Sequence, residues 1–174
     1  MVRTTGGDVR VAGYFPGAIG KITELHAVYY FENWGFDLSF ESQVGRELSE
    51  FMSRFQEGRD GFWTAFAGDE FAGAVAIDGD TEEEFGARLR WFIVDPRFQG
   101  WGVGARLIEK ALEFCRKAGY QAVHLWTFQG LEAARILYER AGFRLYKEEC
   151  LDKWGGCINE QMYLLRLEPG NSVR

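Results

Sequence analysis

Between positions 17 and 55 the apolar side chains keep a helical period, with Ile19, Ile22, Leu25, His26 and Tyr29 recurring at spacings of three and four. The run Asn33-Trp34-Gly35-Phe36-Asp37 interrupts that period and a second helical run follows from about Glu41, so two consecutive helices are expected. The pattern then shortens. Phe62 to Phe66 and Phe71 to Ile77 are compact apolar runs separated by Gly68-Asp69, which predicts two antiparallel strands joined by a tight turn. The acidic stretch Asp78 to Glu84 reads as a loop. Ala87 to Val94 reads as a strand in which Leu89, Trp91 and Ile93 alternate with Arg88, Arg90 and Phe92, ended by Asp95-Pro96 because proline cannot continue a ladder.

Beyond the glycines at 100 to 104 the helical period returns: Leu107, Ile108, Ala111, Leu112 and Cys115 share one face, and Gly119 stops the helix. Ala122 to Thr127 predicts another strand, Leu131 to Ala141 a helix stopped by Gly142, Phe143 to Lys147 a short strand, and Gln161 to Leu167 a last strand beyond the loop around Lys153-Trp154-Gly155-Gly156. The second half thus runs strand, helix, strand, helix, strand. With no repeat, low-complexity tract or linker, a single α/β domain over residues 1–174 is expected.

Composition narrows the classes of function. An apolar content of 47% supplies a sizeable core and excludes a disordered tail. The net charge of -6, with both signs interspersed, offers no broad basic face, so this chain alone is not expected to bind nucleic acid. Cys115, Cys150 and Cys157 include no CxxC pair and read as reduced thiols without a metal. No run approaches a membrane span, and the start from Met1 to Gly7 has no apolar signal core, so a cytoplasmic protein without a membrane partner is expected.

The candidate chemistry lies in Asp95-Pro96-Arg97-Phe98-Gln99-Gly100-Trp101-Gly102-Val103-Gly104-Ala105, a glycine-rich turn between a strand and a helix. Backbone N–H groups at a helix start lack intrahelical partners, glycine lets a phosphate approach them, and the helix dipole adds positive potential. Arg97 and Arg106 flank the turn and are expected to add positive charge. A Walker loop is excluded because Gly104 is followed by Ala105 and Arg106 rather than Lys and Ser/Thr. A dinucleotide fingerprint is excluded because Gly100, Gly102 and Gly104 are spaced by two.

Gln99-Gly100-Trp101-Gly102-Val103-Gly104 resembles the Gln/Arg-x-x-Gly-x-Gly/Ala acetyl-CoA motif of the GNAT superfamily. Ala134 to Phe143, with Tyr138 ahead of Gly142-Phe143, is similar to the second hallmark of that superfamily. A finer similarity, through Pro16 to Gly20, Leu25 to Tyr30 and Leu125 to Thr127, is to GNAT domains carried by MarR-type regulators, although no winged helix is present in this sequence. The resemblance implies a mixed central sheet, splayed at the acetyl-CoA cleft, with helices on both faces. It implies an N-acetyltransferase taking acetyl-CoA as cosubstrate, without a metal, and a small-molecule or peptide amine as acceptor. The cofactor is expected on Ile93, Val94, Gln99, Gly100, Trp101, Gly102, Val103, Gly104, Ala105 and Tyr138.

By the same resemblance a backbone N–H near Phe92 to Val94 holds the oxyanion as the amine attacks directly, and Tyr138 protonates the departing thiolate. The superfamily's Asn seven residues before that tyrosine is here Leu131. The general base stays open between His26 and the glutamates at 82 to 84. Tyr29, Tyr30 and Trp126, with Trp34, Phe128 and Trp154, are expected around the acceptor. A non-catalytic CoA- or amine-sensing module is the competing reading, and the sequence leaves a homodimer open.

Overall fold

The computed structural model describes residues 8–81 and 83–168; the stretch from Met1 to Gly7 and Glu82 lie outside the described residues. Seven strands, β1 (Val9–Ala12), β2 (Gly61–Ala67), β3 (Glu70–Asp78), β4 (Ala87–Val94), β5 (Ala122–Phe128), β6 (Arg144–Lys153) and β7 (Gly156–Arg166), form one sheet in the order β1-β2-β3-β4-β5-β7-β6. Every neighbouring pair is antiparallel except β4 and β5. Helices α1 (Ala18–Trp34) and α2 (Leu38–Ser53) pack on one face through Ile22, Leu48 and Phe51. Helices α3 (Val103–Ala118) and α4 (Glu132–Arg140) cover the other face.

Local chemistry accounts for the helix boundaries. Gly35 adopts φ 68 and its N–H bonds to Phe31 O, ending α1, while Asp37 accepts the Ser39 N–H at 3.0 Å and starts α2. Along α3 the period of Leu107, Ile108, Ala111, Leu112 and Cys115 becomes a fully buried stripe. Truncating one of those leucines to alanine costs about 2–5 kcal/mol of transfer and cavity energy.

Several expectations change. Ala74 pairs with Ile93 and Ala76 with Arg90, so Val75 faces both Trp91 and Phe92 across a β-bulge, and Trp91 sits at φ 47. One extra residue reverses the side-chain alternation. Leu89, Phe92 and Val94 therefore pack toward α3, while Trp91 packs with Phe51 and the helices α1 and α2. The expected grouping of Leu89, Trp91 and Ile93 on one face is corrected accordingly. The acidic stretch begins with a buried anchor: Asp78, 2% exposed, pairs with Arg54 at 2.6 Å and Arg90 at 3.1 Å. Burial alone would raise its pKa, but the bonds from Arg54, Asp80 N–H and Arg90 outweigh that and hold it below the usual carboxylate range.

Strand β6 is twice the expected length and continues through Trp154-Gly155 into β7 as one hairpin, both turn residues having positive φ. Its mixed, exposed side chains hide it from a periodicity argument, as does the brevity of β1, which the sequence pattern did not reveal. The hairpin brings Cys150 and Cys157 to 2.7 Å between sulfurs on the protein surface, a juxtaposition their spacing does not signal. Cys115 is buried, which pushes its thiol pKa up to about 12. Among the described residues no helix is long and apolar enough to cross a membrane.

Candidate active site

The site begins where β4 and β5 stop pairing. Their parallel ladder has three register pairs, Ala87 with Val123, Arg88 with His124 and Leu89 with Leu125, and past Leu89 the two strands separate. The bulge at Trp91 falls at this point. A positive φ on a tryptophan costs on the order of 1–3 kcal/mol, and the indole is held there by Phe51 at 5.2 Å and by the Arg90 guanidinium 4.1 Å above its ring. On the β3 side, Asp95 N–H bonds to Ala72 O at 2.8 Å, and the two-residue period turns Ile93 the same way. The backbone groups of Phe92 and Val94 therefore face the gap toward β5.

Two cavities meet across this gap. The outer cleft, about 780 Å³, is lined by Ile93, Val94, Gln99, Gly100, Gly102, Val103, Gly104 and Ala105 on one side and by α4 and Tyr29, Tyr30 and Trp34 on the other. Gly102, at φ 81, is the residue before α3, and the first bond of the helix runs from Arg106 N–H to Gly102 O at 3.1 Å. The N–H groups of Val103, Gly104 and Ala105 consequently have no partner in the helix, as an anion cradle requires.

The glycines divide the work. A Cβ on Gly100 or Gly102 would meet nothing within 4 Å, but both have positive φ; a Cβ on Gly104 would lie 2.7 Å from Leu137 and 3.2 Å from Phe92. The first two are backbone demands at the cleft mouth, and Gly104 is where α3 presses on α4 and β4. This fits a long phosphorylated ligand.

Three placements differ from the sequence expectation. Trp101 packs edge-on against Phe98 at 5.5 Å, half exposed, and does not line the cleft. Arg97 is engaged by Asp95 at 2.9 Å and Glu70 at 2.7 Å, and Arg106 keeps its charge but donates to the Val9 carbonyl, and neither side chain lines the cleft. Among the described residues, the cation that lines the cleft is Arg140, from the last turn of α4. No motif spacing marks it; only the packing of α4 beside α3 brings it there.

The inner cavity, about 170 Å³, lies behind the gap and is lined by His26, Tyr30, Arg88, Trp126, Tyr138 and Glu160 among others. His26 is buried, and its Nδ1 is 2.8 Å from Ile22 O, so Nδ1–H donates and Nε2 keeps its lone pair. Burial lowers its pKa to about 4 against a smaller raising effect of the Ile22 bond, and the ring is neutral at pH 7. Tyr138 is buried between Phe92, Phe143 and Tyr163, and burial raises its pKa, with Tyr30 adding to the effect, so the hydroxyl stays protonated. Leu131 lines both cavities and gives α4 no side-chain cap. Glu84 is exposed on the short turn at 83–85 and lines neither cavity; Glu82 and the Glu83 side chain lie outside the described residues.

Much of the aromatic content is packing. Phe36, Phe40 and Phe128 interlock with Tyr30, Trp34 and Trp154, and Trp154 Nε1 donates to Gln43 at 2.9 Å, tying the β6–β7 turn to α2. His124 is buried with its Nδ1 3.0 Å from Phe85 O.

Comparison with known proteins agrees with this geometry. Residues 20–143 match the model of the acetyltransferase (GNAT) family. An uncharacterized N-acetyltransferase of Methanocaldococcus jannaschii is 30% identical over 130 residues, 72% of this chain, and the chain spans 57% of that relative's length. N-alpha-acetyltransferase 30 of Schizosaccharomyces pombe is 33% identical over 114 residues, covering 60% of this chain and 75% of the yeast protein. Among solved structures, yncA of Salmonella typhimurium with its cofactor acetyl-CoA superposes with a TM-score of 0.72 at 14% identity, over 94% of this chain and 96% of that one. The sheet that opens between two parallel strands, the glycine turn at its mouth and the match over residues 20–143 agree: this chain belongs to the GNAT acetyltransferase family.

Proposed function

We propose that the chain is an N-acetyltransferase that takes acetyl-CoA as cosubstrate and transfers its acetyl group to an amine by direct attack, working as one domain. The observation that carries this reading is the junction of the two cavities at the β4–β5 gap, one with an unpaired helix start at its mouth, the other with His26 and Tyr138. Acetyl-CoA would supply the activated thioester. The pyrophosphate would rest on the N–H groups of Val103 to Ala105, with Arg140 near, and the pantetheine amides would pair with the open backbone of Phe92 and Val94.

An N–H at that strand end, fixed before the reaction, would hold charge on the carbonyl oxygen as the amine adds. Tyr138, kept protonated by burial, would give its proton to the departing thiolate. His26 offers Nε2 to orient the amine; a ring held near pKa 4 is a weak base, so the amine enters already neutral or sheds its proton to water. The acceptor is a small-molecule or peptide amine contacted by Trp126 and Tyr30, with Tyr29 at the outer rim. The nearer kinship to GNAT domains of MarR-type regulators belongs to the same proposal; a family tree separating this chain from them would overturn it. So does a cytoplasmic location without nucleic acid or membrane as partner.

The test is continuous release of free CoA thiol from acetyl-CoA across amino acids, polyamines, aminoglycosides and peptides. Multiple turnovers with at least one amine are expected. Tight acetyl-CoA binding with no turnover on any amine would favour the sensing module instead.

A further inference from the structure

Four charged side chains line the inner cavity: Glu47, Arg88, Arg90 and Glu160. Three of them are neutralised by neighbours. Arg90 pairs with Glu47 and with Asp78, and Glu160 takes Lys153 at 3.1 Å. Arg88 is different. Its Nε is buried without a hydrogen-bond partner, and among the described residues no carboxylate lies within ion-pairing distance of its guanidinium. Burial lowers its pKa to about 10, with Arg90 adding to the effect and Glu47, Asp78 and Glu160 opposing it from beyond hydrogen-bond reach, which leaves it a cation at neutral pH. Desolvating an unpaired charge is costly, and a folded protein meets that cost with a partner.

Arg88 faces the cavity from the last paired stretch of β4, beside His124 of β5 in the register. On the same strand, four residues further on but only three ladder steps away because of the bulge, roughly 10 Å at strand rise, Phe92 faces the gap where the acetyl group is expected. Trp126, on the next strand, forms an apolar wall between them. A ligand filling this space meets a guanidinium fork at one end and the reacting centre at the other.

We infer that the acceptor is an amine that also carries a carboxylate, and that Arg88 binds that carboxylate and so selects for amino acids over simple amines. This inference rests on the acetyltransferase reading above. A carboxylate accepts two parallel N–H bonds from a guanidinium, a geometry that a primary amide or an ammonium group cannot reproduce. The length from fork to gap decides which carboxylate fits, one attached at the α-carbon or one further along the chain.

The experiment compares kcat/KM for acids and their own carboxamides: alanine with alaninamide, aspartate with asparagine, and glycine, β-alanine and γ-aminobutyrate as a spacing series. An acid-to-amide ratio of about 10²-fold or more is expected for at least one pair in the wild-type protein, the scale of a desolvated charge pair. In Arg88→Gln that ratio should collapse toward unity, with Arg88→Lys between the two. A ratio near unity in the wild type, with amides or polyamines acetylated well, would overturn the inference and leave the acetyltransferase reading standing. A high ratio that persists in a folded Arg88→Gln protein would remove Arg88 as the partner. Should both variants fail to fold, the wild-type ratio decides. Calorimetric binding of the N-acetylated acids and amides in the presence of CoA needs no turnover: equal affinities would overturn the inference even if no amine were acetylated, whereas failed turnover with acid-selective binding would indict the catalytic reading alone.

Discussion

Gly102 and Gly104 look alike in the sequence but should behave differently when replaced, and the contrast tests the anion cradle directly. At Gly102 a side chain meets open space and the demand is φ 81, a conformation that asparagine tolerates better than other residues. Gly102→Asn should therefore cost little stability while placing a side chain over the N–H groups proposed to receive phosphate. Losing one or two charge-assisted hydrogen bonds at about 1.5–3 kcal/mol each weakens acetyl-CoA binding by about 10²-fold. At a ligand concentration of about 100 Kd the wild type gains about 2.7 kcal/mol, a rise of roughly 5–11 °C for a domain of this size; the variant retains about 0.4 kcal/mol, roughly 1–2 °C.

Gly104→Ala, by contrast, drives a methyl to 2.7 Å from Leu137. Overpacking of about 1–3 kcal/mol is offset by about 1 kcal/mol of helix propensity, so the apo protein loses roughly 0–2 kcal/mol. The ligand-induced rise should be largely kept, and Leu137→Ala should relieve the crowding in a double-mutant cycle. The assay is thermal melting with and without acetyl-CoA. An undiminished shift in a folded Gly102→Asn protein would show that phosphate does not rest on this helix start.

Tyr138→Phe should leave folding and acetyl-CoA affinity nearly intact while lowering kcat by about 10²-fold, measured in steady state with single-turnover checks; a kcat within about twofold of wild type would make the tyrosine a wall of the cavity only. His26 links stability to pH. Its folded pKa of about 4 lies below the 6.5 of an ordinary imidazole, so the contribution is complete above pH 6.5 and drains away as the pH falls toward 4, amounting to about 3 kcal/mol. His26→Gln should flatten the denaturant-derived stability profile between pH 6.5 and 4; an unchanged slope would mean that another group titrates there. The carboxylates of Asp60, Asp78 and Asp95, held below their usual range against the cost of burial, act at still lower pH.

What could be read from the sequence follows from how local each signal is. The helices α1 to α4 and the strands β2 to β5 carry their own periodicity and stop signals, so their order and the glycine turn were visible without any tertiary information. The bulge was not, because Trp91 is held at φ 47 by packing on Phe51, a residue near it only in space, beneath the guanidinium of its chain neighbour Arg90. Strand β6 is held by its ladder with β7 rather than by an apolar face, and Arg140 reaches the cleft only through helix packing. Arg97 illustrates the opposite failure: a cation beside a phosphate motif invites a role that two nearby carboxylates have already taken.

The extra residue at Trp91 gives β4 one place where its length can change without disturbing either face. Removing Trp91 would let Val75 pair with Phe92 alone, next to the existing pair of Ala76 and Arg90, so Leu89, Phe92 and Val94 would keep the side beneath α3. Removing a residue elsewhere in the strand has no such slack and would exchange the faces of everything beyond it. A single-codon deletion at Trp91 should therefore spare the core and erase the bend that falls where β4 leaves β5, closing the cleft in a protein that still folds.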